Sequence, residues 1–256
     1  MLMELFAHPL TRGQDIDAPR CTELRRTIIQ NKTFLRQVYC NWYESVNMLI
    51  PPGEDPILEL GSGSGFIKDY IPNLITSDIF EVEGIDVVLD GQNLPFKEDS
   101  LQGIVMVDVL HHMPNVKSFF AESMICIKPG GVIVMVEPWV TLWSALIYRY
   151  LHHEPYQPET KQWDFEGGRP LSQANLALPW VIFNHDRKEF ERQFPKWRIK
   201  QVTLHSPFCY LLSGGVSLRS LLPGCLFQTC HQIENMLTPW MESLAMFATI
   251  ALVRVK

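Results

Sequence analysis

Apolar residues at Leu24, Ile28, Leu35, Val38, Tyr39, Trp42, Val46 and Leu49 recur at helical spacing, with Arg25, Arg26, Lys32 and Arg36 on other faces. The spacing predicts helix, in one piece or two, stopped by Pro51-Pro52-Gly53. Such a helix serves either as a cap over a pocket or as packing against a sheet edge. Beyond the prolines the period shortens. Strands are predicted at Ile57 to Leu60, at Leu74 to Ser77 (ending in Asp78), and at Ile85 to Leu89. The run Gly103 to Asp108 is almost continuously apolar, as in a strand buried on both faces. A helix from Asn115 to Ile127, with Phe119, Phe120, Met124 and Ile127 on one side, leads through Lys128-Pro129-Gly130-Gly131 into a fifth strand, Val132 to Val136.

The later pattern is less regular. Trp139, Trp143, Leu146, Ile147, Tyr150 and Leu151 suggest an aromatic, partly amphipathic helix, with Glu137-Pro138-Trp139 at the pocket mouth. His152-His153-Glu154, Trp163-Asp164-Phe165 and Gly167-Gly168-Arg169-Pro170 read as loop. Asn184-His185-Asp186 is expected to cap a helix from Arg187 to Phe194, ahead of Pro195. Trp197 to His205 alternates as a sixth strand, two short helices are expected within 206–243, and Leu244 to Val253 is expected to be the last strand.

Composition narrows the class. The 256 residues are 46% hydrophobic and 20% charged, which fits one globular domain with insertions. A net charge of −6 argues against a nucleic acid held by a basic surface. Six scattered cysteines without a C-x-x-C pair point to reduced thiols in a cytoplasmic protein. The chain has no signal-like opening and no uncharged run of ~18 residues, so no transmembrane segment is expected.

The chemistry centres on Glu59-Leu60-Gly61-Ser62-Gly63-Ser64-Gly65. A strand feeding a glycine-rich turn and then a helix, kept short here by Pro72, makes a nucleotide-type site, because glycine admits positive φ and close approach of a ligand. The dinucleotide spacing G-x-G-x-x-G requires glycine where Phe66 stands, and no Tyr-x-x-x-Lys occurs, which disfavours a nicotinamide-dependent oxidoreductase. The order of triad residues needed for a serine hydrolase is also missing.

E-L-G-S-G-S-G instead resembles motif I of the class I S-adenosylmethionine (SAM)-dependent methyltransferases. Asp90-Gly91 with Leu94-Pro95-Phe96 resembles the adenine-binding segment of the type 11 family, and Val109-Leu110-His111-His112-Met113-Pro114 resembles its strand-4 end. The helix, Lys-Pro-Gly-Gly and strand series continues the match, which covers residues 57–138, about a third of the chain. The resemblance implies an α/β, Rossmann-like fold: a seven-stranded, mostly parallel sheet with an antiparallel last strand and helices on both faces. It departs from the family between the second and third strands. Phe80-Glu81-Val82-Glu83-Gly84 is too short for a crossover helix, so the connection is tight and irregular or the third strand is displaced.

SAM is the expected cofactor and S-adenosylhomocysteine (SAH) the product, with Glu59, Gly61, Ser62, Gly63, Gly65, Asp78, Asp90, Gly91 and Asp108 on the cofactor side. Asp78 suits the ribose diol, because a carboxylate accepts from both hydroxyls. Catalytic candidates are His111, His112 and Glu137, since a histidine titrates near neutrality and can take a hydroxyl proton. No metal is expected, because neighbouring histidines on a strand point to opposite faces. The expected acceptor is a small molecule, a glycan or a lipid-linked precursor, methylated on oxygen. The alternative is a non-catalytic module of this fold that supports a partner enzyme.

The expected organisation is a helical cap (1–52), a cofactor core (53–138), a lid or substrate insertion (139–183) and the rest of the sheet (184–256). The apolar insertion at 206–243 is open to three readings: a homodimer face, a peripheral membrane contact or a thicker core. The basic stripe of a membrane-surface helix is missing from it.

Overall fold

A computed structural model describes residues 8–10, 18–152, 154–165 and 173–256. Most of the irregular opening, His153 and the Gly167-Gly168-Arg169-Pro170 loop lie outside them. The predicted N-terminal helix forms as two, α1 (Pro19–Asn31) and α2 (Thr33–Asn47), because Lys32 between them is extended at φ −84°, ψ 90°. The Lys32 ammonium donates to the carbonyls of Gly215 (2.5 Å) and Leu218 (2.8 Å), tying the helix junction to the distant 206–243 insertion.

Seven strands follow in sequence: β1 (Ile57–Leu60), β2 (Leu74–Asp78), β3 (Val87–Val88), β4 (Leu101–Val107), β5 (Ile127–Pro138), β6 (Trp197–His205) and β7 (Phe247–Arg254). Their spatial order is β3-β2-β1-β4-β5-β7-β6. Pairing is parallel from β3 through β5, and β7 runs antiparallel to both β5 and β6. This is the expected Rossmann-like sheet with a reversed last strand. Strand order reverses between β1 and β4, and that crevice is where open α/β sheets bind ligands.

Two connections differ from the sequence reading, and a third, between β2 and β3, takes the first of its two alternatives. β1 is followed by two single 3-10 turns, Ser62–Ser64 and Ile67–Asp69, rather than by a helix, so no helix dipole backs the glycine loop. β2 and β3 remain parallel neighbours through a tight irregular connection, held by a carboxylate in place of a helix. Asp86 accepts from the Thr76 N–H and hydroxyl, both at 2.9 Å, and pairs with Lys68 at 2.7 Å. The expected turn Lys128–Gly131 lies within β5 as a bulge, since Ile127 pairs with Leu101 while Val132 pairs with Gly103.

Helix α3 (Val116–Cys126) begins where the Asn115 side chain accepts from Ser118 N–H at 3.0 Å. Helix α4 (Leu142–Tyr150) starts with a reciprocal Thr141–Ser144 box. The cap expected at Asn184-His185-Asp186 is absent. Those residues close a π turn, and Asp186 accepts from the Trp163 indole (2.8 Å) instead of capping α5 (Arg187–Gln193). The 206–243 segment forms three helices rather than two: α6 (Cys209–Ser213), α7 (Phe227–Met236) and α8 (Met241–Leu244). Trp139 turns into the core instead of facing the pocket mouth. Among the described residues, no helix is long and apolar enough to cross a membrane.

Apolar layers cover both faces of the sheet. On one, the Phe120 ring meets Phe119 and Phe190 (centroids 5.1 Å each) and Phe194 (5.3 Å). On the other, Phe34, Trp42, Tyr43 and Phe247 join α2 to the strands. Phe120→Ala is expected to lower unfolding free energy by ~3–5 kcal/mol in urea titrations, the cost of a large core cavity. Leu142→Ala, at a residue 79% exposed, should change it by less than ~0.5 kcal/mol.

Candidate active site

The glycine loop leaves β1 with Gly61 at φ 72°, where a Cβ would lie 2.5 Å from Val109. A Cβ on Gly63 would meet Thr22 of α1 at 2.3 Å and Asp78 at 2.6 Å. Side chains from other elements hold the loop. Gly63 N–H donates to Asp78 at 3.0 Å, and the Arg26 guanidinium donates to the Gly63 carbonyl (3.0 Å) and to the Glu83 carbonyl (2.6 Å). Ser62 accepts from Ser77 N–H at 3.0 Å. Helix α1 does the fastening that a following helix normally does.

Above the carboxyl ends of β1 to β4 lies a cavity of about 460 Å³. Of the expected residues, Glu59, Gly61, Gly65, Asp78, Asp90, Gly91, Asp108, His111 and His112 line it, whereas Ser62, Gly63 and Glu137 lie behind the wall. Asp78 accepts from two backbone amides, Gly63 and Phe80 (3.0 Å each), and keeps lone pairs for a ligand. The exposed Asp90 accepts from the Gln92 N–H (2.9 Å) and its amide. Burial raises the Asp78 carboxyl above its usual range and pushes Glu59 up to about 7, opposed in Glu59 by the Ser62 hydroxyl.

The far end of the cavity is a polar cluster set in aromatic walls. Glu137 is fully buried at the end of β5. Its Oε1 accepts from Val109 N–H (2.9 Å) and Leu110 N–H (2.7 Å), while Oε2 meets His111 Nδ1 at 2.7 Å. These three bonds of Glu137 all go to the turn after β4, so it positions His111. The His111 and His112 rings sit 4.2 Å apart in a single turn, Leu110–His112, and not on a strand. On this turn, unlike on a strand, both imidazoles reach the same carboxylate, that of Glu154.

Glu154, just after α4, faces both imidazoles: its carboxylate is 3.6 Å from His111 Nε2 and 3.8 Å from His112 Nε2. Burial alone would lower the His111 pKa, but the hydrogen bond and charge of Glu137, then those of Glu154, carry it up to about 10. Although burial opposes it, His111 holds Glu154 well below the usual carboxylate range. His112 is pushed down to about 3 by burial and by the neighbouring His111 charge, so it is neutral. Burial, partly offset by His111, brings Asp108 up to about 7.

Sequence reasoning missed several lining residues. Thr22, Arg25, Tyr39 and Tyr43 reach the cavity from α1 and α2, and α2 also packs on a face of the sheet rather than against its edge. Tyr148, His152, Glu154 and Leu176 come from the expected lid, and Tyr210, Val216 and Ser217 from the apolar insertion. His152-His153-Glu154 reads only as loop, and nothing in its spacing says that Glu154 meets His111.

Residues 58–135 match the family model described as "Methyltransferase domain". That stretch of the chain, under a third of its length, is similar to a methyltransferase domain. Solved structures agree in fold. A chain of the Haloferax volcanii complex between the Trm112 methyltransferase activator and a candidate methyltransferase is 12% identical, with 93% of this chain and 96% of that one covered and a TM-score of 0.52. Geranyl diphosphate methyltransferase in complex with SAM is 14% identical, covering 96% and 94%, TM-score 0.52. The geranyl diphosphate C-methyltransferase of Streptomyces coelicolor A3(2), in complex with Mg2+, geranyl-S-thiolodiphosphate and SAH, is 14% identical, covering 98% and 87%, TM-score 0.52. A search of curated proteins finds no match. SAM is the methyl donor of this class of domain.

Glu137→Ala strips the acceptor from two buried amides and leaves the buried His111 without its partner. It should lower unfolding free energy by ~3–5 kcal/mol in denaturant titrations, the range for breaking a buried pair. Arg187→Ala, which removes an exposed pair with Glu191, should cost less than ~1 kcal/mol.

Proposed function

We propose that the cavity binds SAM at its glycine-loop end and passes the methyl group to an oxygen of a small, glycan or lipid-linked acceptor at its far end. One observation carries this reading. Carboxylates from the ends of β1, β2 and β3 (Glu59, Asp78, Asp90) and the backbone of Gly61 and Gly91 face the same cavity as Asp108, His111, His112 and Glu154. The residues present fit the cofactor: Asp78 retains lone pairs for a ribose diol, and Gly91 has no Cβ where one would lie 3.1 Å from Leu60 and Met113. Glu59 and Asp90 add acceptors for the amino groups.

SAM, when bound, supplies a methyl group already activated on a sulfonium. What is asked of the chain is alignment and, for an oxygen nucleophile, removal of a proton. The neutral imidazole of His112 is oriented for that task by its Nδ1, 3.2 Å from the Gln173 carbonyl. Tyr39, Tyr148, Tyr210 and Phe247 exclude water around it and suit an acceptor with an apolar body. Helix α4 carries Tyr148 on its inner face and exposes Leu142, Leu146 and Tyr150 outside, which favours a lipid-linked acceptor. The formal net charge of −6 speaks against nucleic acid, and the six free thiols suit the cytosol.

A second reading, a non-catalytic module supporting a partner enzyme, draws on the missing helix after the glycine loop and on the two amides already bound to Asp78. Calorimetric titration with SAH separates the two. Wild type should bind at micromolar Kd, and Asp90→Ala, at an exposed site, should bind at least ~10-fold more weakly, a loss of ~1.4 kcal/mol. A folded wild type that takes up no SAH would sink the methyltransferase reading and leave the module.

A further inference from the structure

His111, His112 and Glu154 belong to no cofactor contact, yet they converge at the acceptor end of the cavity. We propose that these three side chains form a binding site for one divalent first-row transition-metal ion, of the Zn2+ type, beside the methyl acceptor.

The imidazoles are set as ligands are set. A metal-binding histidine nearly always gives its other ring nitrogen to a carboxylate or carbonyl, which fixes tautomer and ring plane. His111 Nδ1 lies 2.7 Å from Glu137 Oε2, and Glu137 is itself immobilised by two backbone amides. His112 Nδ1 lies 3.2 Å from the Gln173 carbonyl, which only accepts, so the proton sits on Nδ1 and the Nε2 lone pair is available. Both Nε2 atoms approach the Glu154 carboxylate, at 3.6 and 3.8 Å, and the ion takes the place of the proton that His111 Nε2 holds towards Glu154. Glu154 comes from a different segment, with its backbone N–H donating to His152 Nδ1 at 3.3 Å.

The distances suit an ion. One ligand atom from each of the three residues lies within 4.8 Å of the others. Tetrahedral zinc with bonds of ~2.0–2.1 Å puts its ligands ~3.3 Å apart, so the His–Glu separations need to close by only a few tenths of an ångström. His111 is 2% exposed, and the His112 and Glu154 side chains 13% and 12%, while all three line the cavity. Three protein ligands leave a coordination position for a further group, as in catalytic rather than structural zinc sites. Two imidazoles disfavour Mg2+, which takes oxygen ligands.

The role of the ion rests on the methyltransferase reading, and with the ion bound to His112 Nε2 it takes the place of His112 in activating the acceptor hydroxyl. An acceptor hydroxyl bound to it loses its proton to water more readily. The C–S bond to the donor methyl then breaks as the O–C bond forms, leaving SAH and the methyl ether.

The test uses the full chain, stripped with a chelator and titrated with Zn2+ by calorimetry, with bound metal counted after equilibrium dialysis. Wild type should hold one Zn2+ per chain at micromolar Kd or tighter. His112→Ala and Glu154→Gln should each weaken it at least ~10-fold, and His185→Ala, at a side chain 60% exposed, should not. SAH titration of the same samples reports whether each variant is folded and keeps the two proposals apart. Zn2+ uptake without SAH binding supports the metal site and defeats the methyltransferase reading. SAH binding without stoichiometric Zn2+ uptake, or uptake that His185→Ala lowers as much as His112→Ala does, overturns the metal site.

Discussion

A fully buried carboxylate, Glu137, joins the end of β5 to the turn that follows β4. Charge is costly to bury, and the cost is met by two amide donors and an imidazolium. The Val109 and Leu110 amides would otherwise be unsatisfied at the start of a short turn inside the protein. Through His111 the same carboxylate sets the wall from which the cavity's polar cluster projects. That wall of the cavity is therefore held by a group that does not line it.

At the cofactor end the constraint is steric. The loop packs so closely that a Cβ at Gly61 or Gly63 would collide with Val109 or with Thr22 and Asp78. Asp78 serves both sides of this wall, accepting from the loop amide and lining the cavity. The fold at this end is built by local hydrogen bonds of single residues (Ser62, Asp78, Asp86 and Arg26) where a helix would ordinarily supply the order.

Much of the sheet was legible, because β1, β2, β4 and β6 carry short apolar or alternating runs bounded by turn residues. That Gly61, Asp78, Asp90 and Asp108 share one cavity was legible too, since a glycine loop and strand-end carboxylates leave local signals. Three kinds of feature were not. Asp86 fastening β3 in place of a crossover helix depends on a contact with Thr76 that spacing does not encode. Asp186 reads as a helix cap, but the Trp163 indole takes its carboxylate, so a tertiary contact overrides a local preference. Glu154 meets His111 and His112 across more than forty residues of chain, and no periodicity reports such a meeting.

Because Arg26 and Thr22 of α1 hold the glycine loop from outside the sheet, the order of the first helix and the order of the loop are one equilibrium. Any ligand that needs the loop in place draws α1 down with it, by the same mass action that links binding to folding. Helix α1 is thus a wall of the cavity as well as a brace of the loop. Undocking residues 19–31 would open the cavity where Thr22 and Arg25 line it, giving a ligand a way in and out while the strands stay in register.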